Sequence, residues 1–314
     1  MAIGGTTMNN SAIAARFNDG RLHLQHGPID LIIEAFSGDN RAIEMAYEQA
    51  SMRFVGLLAE LVKELPRLRT PVTKEFALFA GPVAQRMART VWPYREKFIT
   101  PMAAVAGAVA DEILQALVAN RELTRAYVNN GGDIALHLAH GEKFEIGMAG
   151  IEDGLQKGQF TIRAEENIRG VATSGWRGRS FSLGIADSVT VLARTAAEAD
   201  AAATMIANAV DVGHPGIERI PACNIQPESD LRSLLVTRNV PALDSERIRC
   251  ALDAGEASAR KYIGEELIER VAIRLQGQVR VIPPPWPEAS RSFPRRREPR
   301  VFSDNMKYSV RVSI

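Results

Sequence analysis

Asp200 and Thr204 stand four positions apart in Ala199-Asp-Ala-Ala-Ala-Thr204, so on an α-helix they project from one face, a turn apart. A carboxylate and a hydroxyl so placed are hard oxygen donors, the kind that magnesium takes together with waters and substrate phosphates. Upstream lie two glycine turns, Asn130-Gly131-Gly132-Asp133 and Thr173-Ser174-Gly175. Their N–H groups can approach a phosphate or a planar ring closely. Together these residues point to a metal–nucleotide site. A plainer account of each also holds: Asp200 suits the first turn of its helix through the dipole, Thr204 faces the core, and Asn-Gly is an ordinary turn signal.

Two residues are candidates for moving protons. Asp187, just before the strand that starts at Ser188, could act as a base or a third metal ligand. His214, in Gly213-His214-Pro215-Gly216, is the histidine best placed for acid–base work. Arg177 and Arg179 flank Gly178 beside the Thr173-Ser174-Gly175 turn, where guanidinium forks could hold phosphate or simply be solvated. The pairs His23/His26 and His137/His140 do not read as zinc sites. A three-residue step on a strand points each pair to opposite faces, and no cysteine or acid completes a tetrahedral set.

These side chains need elements to hold them. Residues 21–25 and 29–35 read as a hairpin around His26-Gly27-Pro28. A helix starts near Asp39, carries the stripe Ile43, Tyr47, Ala50, Phe54, Leu57, Leu61, Leu65, and is ended by Pro66. Further helices are expected over 83–91, after Thr100-Pro101, over 195–210 with alanine at almost every other place, and over 245–262. Strands are expected at 125–129, 134–138, 143–148, 160–163, 169–172, 188–193, 231–236 and 268–281. Without a regular βαβ rhythm, the fold class is α+β, with mixed or antiparallel sheets and packed helices. Residues 1–18 read as a flexible N-terminus, 19–282 as a single domain, and 283–314 as a disordered tail, basic around Arg291–Arg300 and opened by Pro283-Pro284-Pro285.

Composition narrows the class. The chain has 314 residues, 46% hydrophobic and 24% charged, with a formal net charge of +1. Nothing in that balance favours nucleic acid or anionic membrane as a partner, and the basic tail reads as a solvated appendage. Cys223 and Cys250 are too few for a disulfide framework. The run Met102–Ala119 is interrupted by Asp111 and Glu112, which reads as a packed helix and not a membrane span. No signal peptide is evident, so the expected location is the cytoplasm. Alanine-rich helix faces leave an oligomer open.

Four segments in this order carry a resemblance: Tyr127-Val-Asn-Asn-Gly-Gly-Asp-Ile134, Ala172-Thr-Ser-Gly175, Ser188-Val-Thr-Val-Leu-Ala193 and Ala199-Asp-Ala-Ala-Ala-Thr204. Over residues 101–210 the chain resembles the ApbE superfamily, the FAD:protein FMN transferases, and more narrowly an uncharacterised cytoplasmic branch of it. The resemblance implies magnesium at Asp200 and Thr204, and FAD held by Asn130, Gly131, Gly132, Asp133, Thr173, Ser174, Gly175 and Arg177. It also implies a flavin nucleotide or related small molecule as ligand, with an acceptor protein as a further partner. Two features differ from the family. Its His-Ile-x-Asp-Pro-x-Thr-Gly segment has no counterpart between Trp176 and Asp187, and Ala106 stands where the family has lysine. The expected activity is therefore a flavin nucleotide- and magnesium-dependent transferase or pyrophosphate-cleaving enzyme. The alternative is a non-catalytic flavin or nucleotide-binding protein on the same scaffold.

Overall fold

The computed structural model describes residues 12–148 and 159–283, and the backbone of 310–313. Strands β1 (Ile13–Arg16), β2 (Leu22–His26) and β3 (Ile29–Phe36) form a meander, followed by helices α1 (Asn40–Leu68) and α2 (Pro82–Val91). A 3-10 turn at Pro101–Ala104 leads into α3 (Val105–Val118). Then come β4 (Arg125–Asn130), β5 (Asp133–Leu138), β6 (Lys143–Met148), β7 (Gln159–Arg163), β8 (Gly170–Ser174), β9 (Ser188–Ala193) and α4 (Ala196–Ala209). A small unit of β10 (Glu218–Pro221), α5 (Ala222–Ile225) and β11 (Leu235–Asn239) precedes α6 (Ser245–Gly264), β12 (Arg270–Leu275), β13 (Gln278–Ile282) and β14 (Val310–Ser313).

One nine-stranded sheet, in the order β1-β2-β3-β4-β5-β8-β9-β12-β13, organises the molecule. All its pairings are antiparallel, as the α+β reading requires. Strand alternation sends one set of side chains to the helices and the other to a three-stranded sheet, β14-β6-β7. Ala126, Val128 and Ala135 pack with α1, α2 and α3. Tyr127, Ile134 and Leu136 pack with Phe144, Ile146, Phe160 and Ile162 of the small sheet. A further apolar cluster joins α4, α6, β9 and β12, and α4 belongs to both helix-side clusters through Ala196 and Ala197 on one hand and Ala199 and Ala203 on the other.

Several boundaries differ from expectation. Ile13–Arg16 pairs with Leu22–Gln25, so ordered structure begins before residue 19; residues 1–11 lie outside the described residues. Pro66 does not end α1, which runs on to Leu68, since a proline within a final turn gives up little of the hydrogen-bond ladder. Thr100 stands at the N-cap position before Pro101 as expected, but its hydroxyl makes no capping bond and donates to Asp230 instead. The single strand expected over 268–281 is a hairpin, turned by Gln276 (φ +45°) and Gly277 (φ +82°), two left-handed residues in a row as a two-residue hairpin loop requires. The Arg-rich segment lies within 284–309, outside the described residues; Val310–Ser313 returns to pair with β6.

Pro101–Val118 is long and apolar enough to cross a membrane by length and composition. In the fold it is interior: Gly107, Ala108, Val109, Ala110, Ile113 and Leu117 of α3 are buried. Helices α3 and α4 run antiparallel and touch through backbone. A Cβ on Gly107 would sit 2.2 Å from the Ala196 carbonyl oxygen, and one on Gly170 of β8 would sit 2.0 Å from the carbonyl of Thr195. The alanine-rich face of α4 is thus the condition for stacking α3, α4 and the sheet this closely.

The same contact completes both helix starts. Asp111 of α3 accepts from the Ala196 and Ala197 N–H groups at 2.9 Å each, and Thr195 accepts from Glu198 N, so the first N–H groups of α4 are satisfied. In return, Asp200 of α4 accepts from Gly107 N at 3.0 Å at the start of α3. Gly107→Ala forces backbone apart and is expected to destabilise the chain by about 3 kcal/mol or more. Asp111→Ala strands two N–H groups and is expected to cost about 2 kcal/mol. Urea unfolding followed by circular dichroism reads both, and unchanged midpoints would show that the helices do not depend on this crossing.

Candidate functional site

The β4–β5 turn, the end of β8 and the start of α3 meet around Asp200. Asn129 Oδ1 accepts from Gly132 N at 2.8 Å and closes the turn, in which Gly131 (φ +65°) and Gly132 (φ +115°) take backbone angles that other residues adopt only with strain. Asn130 is buried and donates from Nδ2 to the Ala106 carbonyl at 3.0 Å, tying the turn to α3. Asp133 opens β5 and accepts from Thr173 N at 3.4 Å, which ties the turn to β8. Thr173 Oγ1 shares a hydrogen bond of 2.9 Å with Thr190 of β9.

Asp133 lies near enough to Asp200 for its charge to act on it. Both keep part of their surface accessible while protein surrounds them densely. Burial pushes Asp133 up to about 7, with the Thr173 N–H and the charge of Arg179 pulling the other way. Burial raises Asp200 well above the usual carboxylate range, the charge of Asp133 adds to it, and the N–H groups of Gly107 and Ala106 oppose it. Two carboxylates held in this way need either a proton or a cation between them. Asp200 accepts from Gly107 N with Oδ2. Thr204, half-buried, follows one turn along α4 on the same face.

The donor set is oxygen throughout, which fits magnesium or another hard cation. Among the described residues no group of three or more His, Cys, Asp or Glu side chains could hold a metal. A cation here would take its remaining ligands from water or phosphate, as magnesium commonly does.

The other expected residues divide. Ser174 ends β8 beside Gly175, whose φ of +151° lets the chain pass so near β9 that a Cβ would sit 2.5 Å from the Asp187 carbonyl oxygen. Arg177 does not face the carboxylates. Its Nε lies 2.9 Å from Asp187 Oδ1, and its guanidinium stacks 4.9 Å from the Trp176 ring centre. Asp187 is buried, and its second oxygen accepts from Gln276 N at 2.5 Å, so it latches the 176–187 loop to the β12–β13 turn. His214 accepts from Gly216 N at 3.1 Å inside its own loop. Of the paired histidines, His23 meets Asp30 at 2.8 Å and His137 meets the Leu123 carbonyl at 3.1 Å.

Arg179 is the residue that sequence patterning undervalued. Its guanidinium lies over Gly131, where a Cβ would fall 1.5 Å from Nη2, and its charge acts on Asp133. Two arginines at equal remove from one glycine carry the same local signal. Only the path of the loop distinguishes them.

A family model described as AbpE bacteria matches residues 14–281. A UPF0280 protein of Methanococcoides burtonii is 31% identical over 190 residues, 60% of this chain and 78% of that protein. A UPF0280 protein of Methanococcus vannielii is 41% identical over 143 residues, 43% of this chain, and the chain spans 54% of that relative's length. Among solved structures, the apo flavinyl transferase ApbE of Pseudomonas stutzeri aligns with a TM-score of 0.36 and 13% identity over 64% of this chain and 85% of that one, a likeness too slight to argue from.

The buried carboxylates make folding pH-dependent. Asp111 is pushed up to about 6 by burial and Asp133 to about 7, against 3.8 for an aspartate in the unfolded chain. The folded state therefore binds more protons across this window, and stability falls as pH rises from about 4 to about 7. The loss between pH 5 and pH 8 in the absence of divalent cations is expected to be about 4 kcal/mol, and Asp133→Asn should reduce it. Unfolding midpoints across pH measure it; stability that rises over the same range would contradict this electrostatic picture.

Proposed function

This chain belongs to the AbpE bacteria family, and from that premise we propose that it binds a flavin nucleotide, FAD, with a divalent cation, and transfers or cleaves at the pyrophosphate. The observation that carries the reading is the Asp133–Asp200 pair, set between a two-glycine turn and the first N–H groups of α3. A magnesium ion would be held by Asp200 and Thr204 with Asp133 close by, and when bound would neutralise charge on the pyrophosphate. Gly131 and Gly132 would let the ligand approach backbone, and Arg179, beside them, would offer its fork to a phosphate.

The family's histidine and lysine are missing here, and a different residue would have to accept the proton. Asp187 is committed to Arg177 and Gln276, and His214 to its own loop. Asp133, pushed up to about 7, can take a proton near neutral pH. In the proposed reaction an acceptor hydroxyl, or water, forms a new P–O bond to the flavin-side phosphorus. The bridging P–O bond breaks, AMP leaves, and the acceptor's proton passes to Asp133.

A second reading rests on that same commitment of Asp187 and His214: the chain holds the nucleotide without turning it over. Incubation with FAD and magnesium, followed by chromatography for FMN and AMP, separates the two. The enzyme reading expects magnesium-dependent release. It further expects Asp200→Asn, which can still accept from Gly107, to lower the rate at least 100-fold with the melting temperature little changed. Release that survives this substitution would overturn the assignment, and FAD binding with no release would leave the holding protein.

A further inference from the structure

The far end of the α3–α4 pair carries the opposite charge. An open cavity of about 320 Å3 there is bordered by Arg86, Asp111, Leu114, His137, Arg169 and Arg194. Asp133 and His137 lie on the same face of β5, four residues apart, so the His137 border of the cavity is roughly 13 Å from Asp133, while Asp111 on another border acts on Asp200 through its charge. Three guanidinium groups and an imidazole border it against one carboxylate, and both oxygens of Asp111 are already occupied by Ala196 and Ala197 N–H.

The arginines are incompletely neutralised. Arg169 donates only to main-chain carbonyls, those of Ala164, Glu166 and Ile168 at 2.7 Å each, and among the described residues no carboxylate pairs with it. These three bonds fix its guanidinium while leaving its charge intact. Arg86 meets Glu112 at 2.9 Å, but Glu112 also serves Arg53 at 2.8 Å. Arg194 meets Glu198 at 3.3 Å in a partly exposed pair, which counts for little in water. Positive charge gathered in a concavity with an apolar wall, here Leu114 and Val118, concentrates anions.

We propose that this cavity binds a phosphate monoester, its phosphoryl oxygens on Arg86, Arg169 and Arg194 and its apolar part against Leu114 and Val118. Three guanidinium groups from separate elements suit a tetrahedral group with three terminal oxygens better than a planar carboxylate with two. The site is distinct from the Asp133–Asp200 cleft and does not depend on the function proposed for it.

Calorimetric titration of the full chain with phenyl phosphate, inorganic phosphate and benzoate at fixed ionic strength tests the assignment. Phenyl phosphate is expected to bind with a Kd on the order of 1 mM or tighter, inorganic phosphate more weakly, and benzoate at least tenfold more weakly. Arg194→Gln should weaken phenyl phosphate about fivefold and Arg169→Gln at least tenfold, with Asp200→Asn unchanged. Should Arg169→Gln fail to fold, Arg194→Gln together with Arg86→Gln decides. The proposal is overturned by an absence of saturable heat, by affinity that the arginine variants leave unchanged, or by affinity that Asp200→Asn abolishes.

Discussion

Helices α3 and α4 each supply a carboxylate to N–H groups in the other's first turn. Asp111 meets the N–H groups of Ala196 and Ala197, and Asp200 meets that of Gly107. The exchange works only because Gly107 has no Cβ to strike the Ala196 carbonyl, and because α4 presents alanines to its neighbours. A helix start buried without partners is costly, so the crossing can be interior only with both acids in place. Everything around the cleft is registered on this crossing. Asn130 ties the β4–β5 turn to Ala106, and Gly170 brings β8 against Thr195.

The chemistry of the cleft follows from that constraint. Asp200 is fixed by hydrogen bonds at the start of α3, and Asp133, the first residue of β5, comes close enough for its charge to act on Asp200. Neither could be buried near the other at neutral pH without a proton or a cation, and that unmet requirement is what distinguishes the place from an ordinary turn beside a helix. Charge also differs around the α3–α4 crossing, with Asp133 and Asp200 by the β4–β5 turn and Arg86, Arg169 and Arg194 around the cavity beside Leu114 and Val118. One packing motif thus sets up two different electrostatic environments.

Much of this was legible in the sequence, and unevenly so. The Asp200/Thr204 spacing, the two glycine turns and the α+β class stand in the order and types of residues. Periodicity also gave the helices and most strands. The role of Asp200 as a cap for another helix did not show, because local spacing says nothing of which N–H groups a helix face will meet. Arg177 and Arg179 are equivalent on paper, and the loop turns one toward Asp187 and the other over Gly131. Asp187 looked available for catalysis because its partner Gln276 lies 89 residues away in sequence. The hairpin at Gln276-Gly277 was missed because its first left-handed residue is a glutamine, which carries no turn signal of its own.

Burial raises both Asp133 and Asp200, and the charge of Asp133 raises Asp200 further. Carbon-detected NMR titration of aspartate carboxyl groups, assigned with Asp133→Asn and Asp200→Asn, reads it directly. Without divalent cations, Asp133 is expected to titrate near 7 and Asp200 well above 3.8. Saturating magnesium should bring Asp200 down, since a cation held by Asp200 and Thr204 takes the place of its proton. Titration of both groups near 3.8, unmoved by magnesium, would mean that the two carboxylates do not share a buried site and that the cleft is not built for a cation.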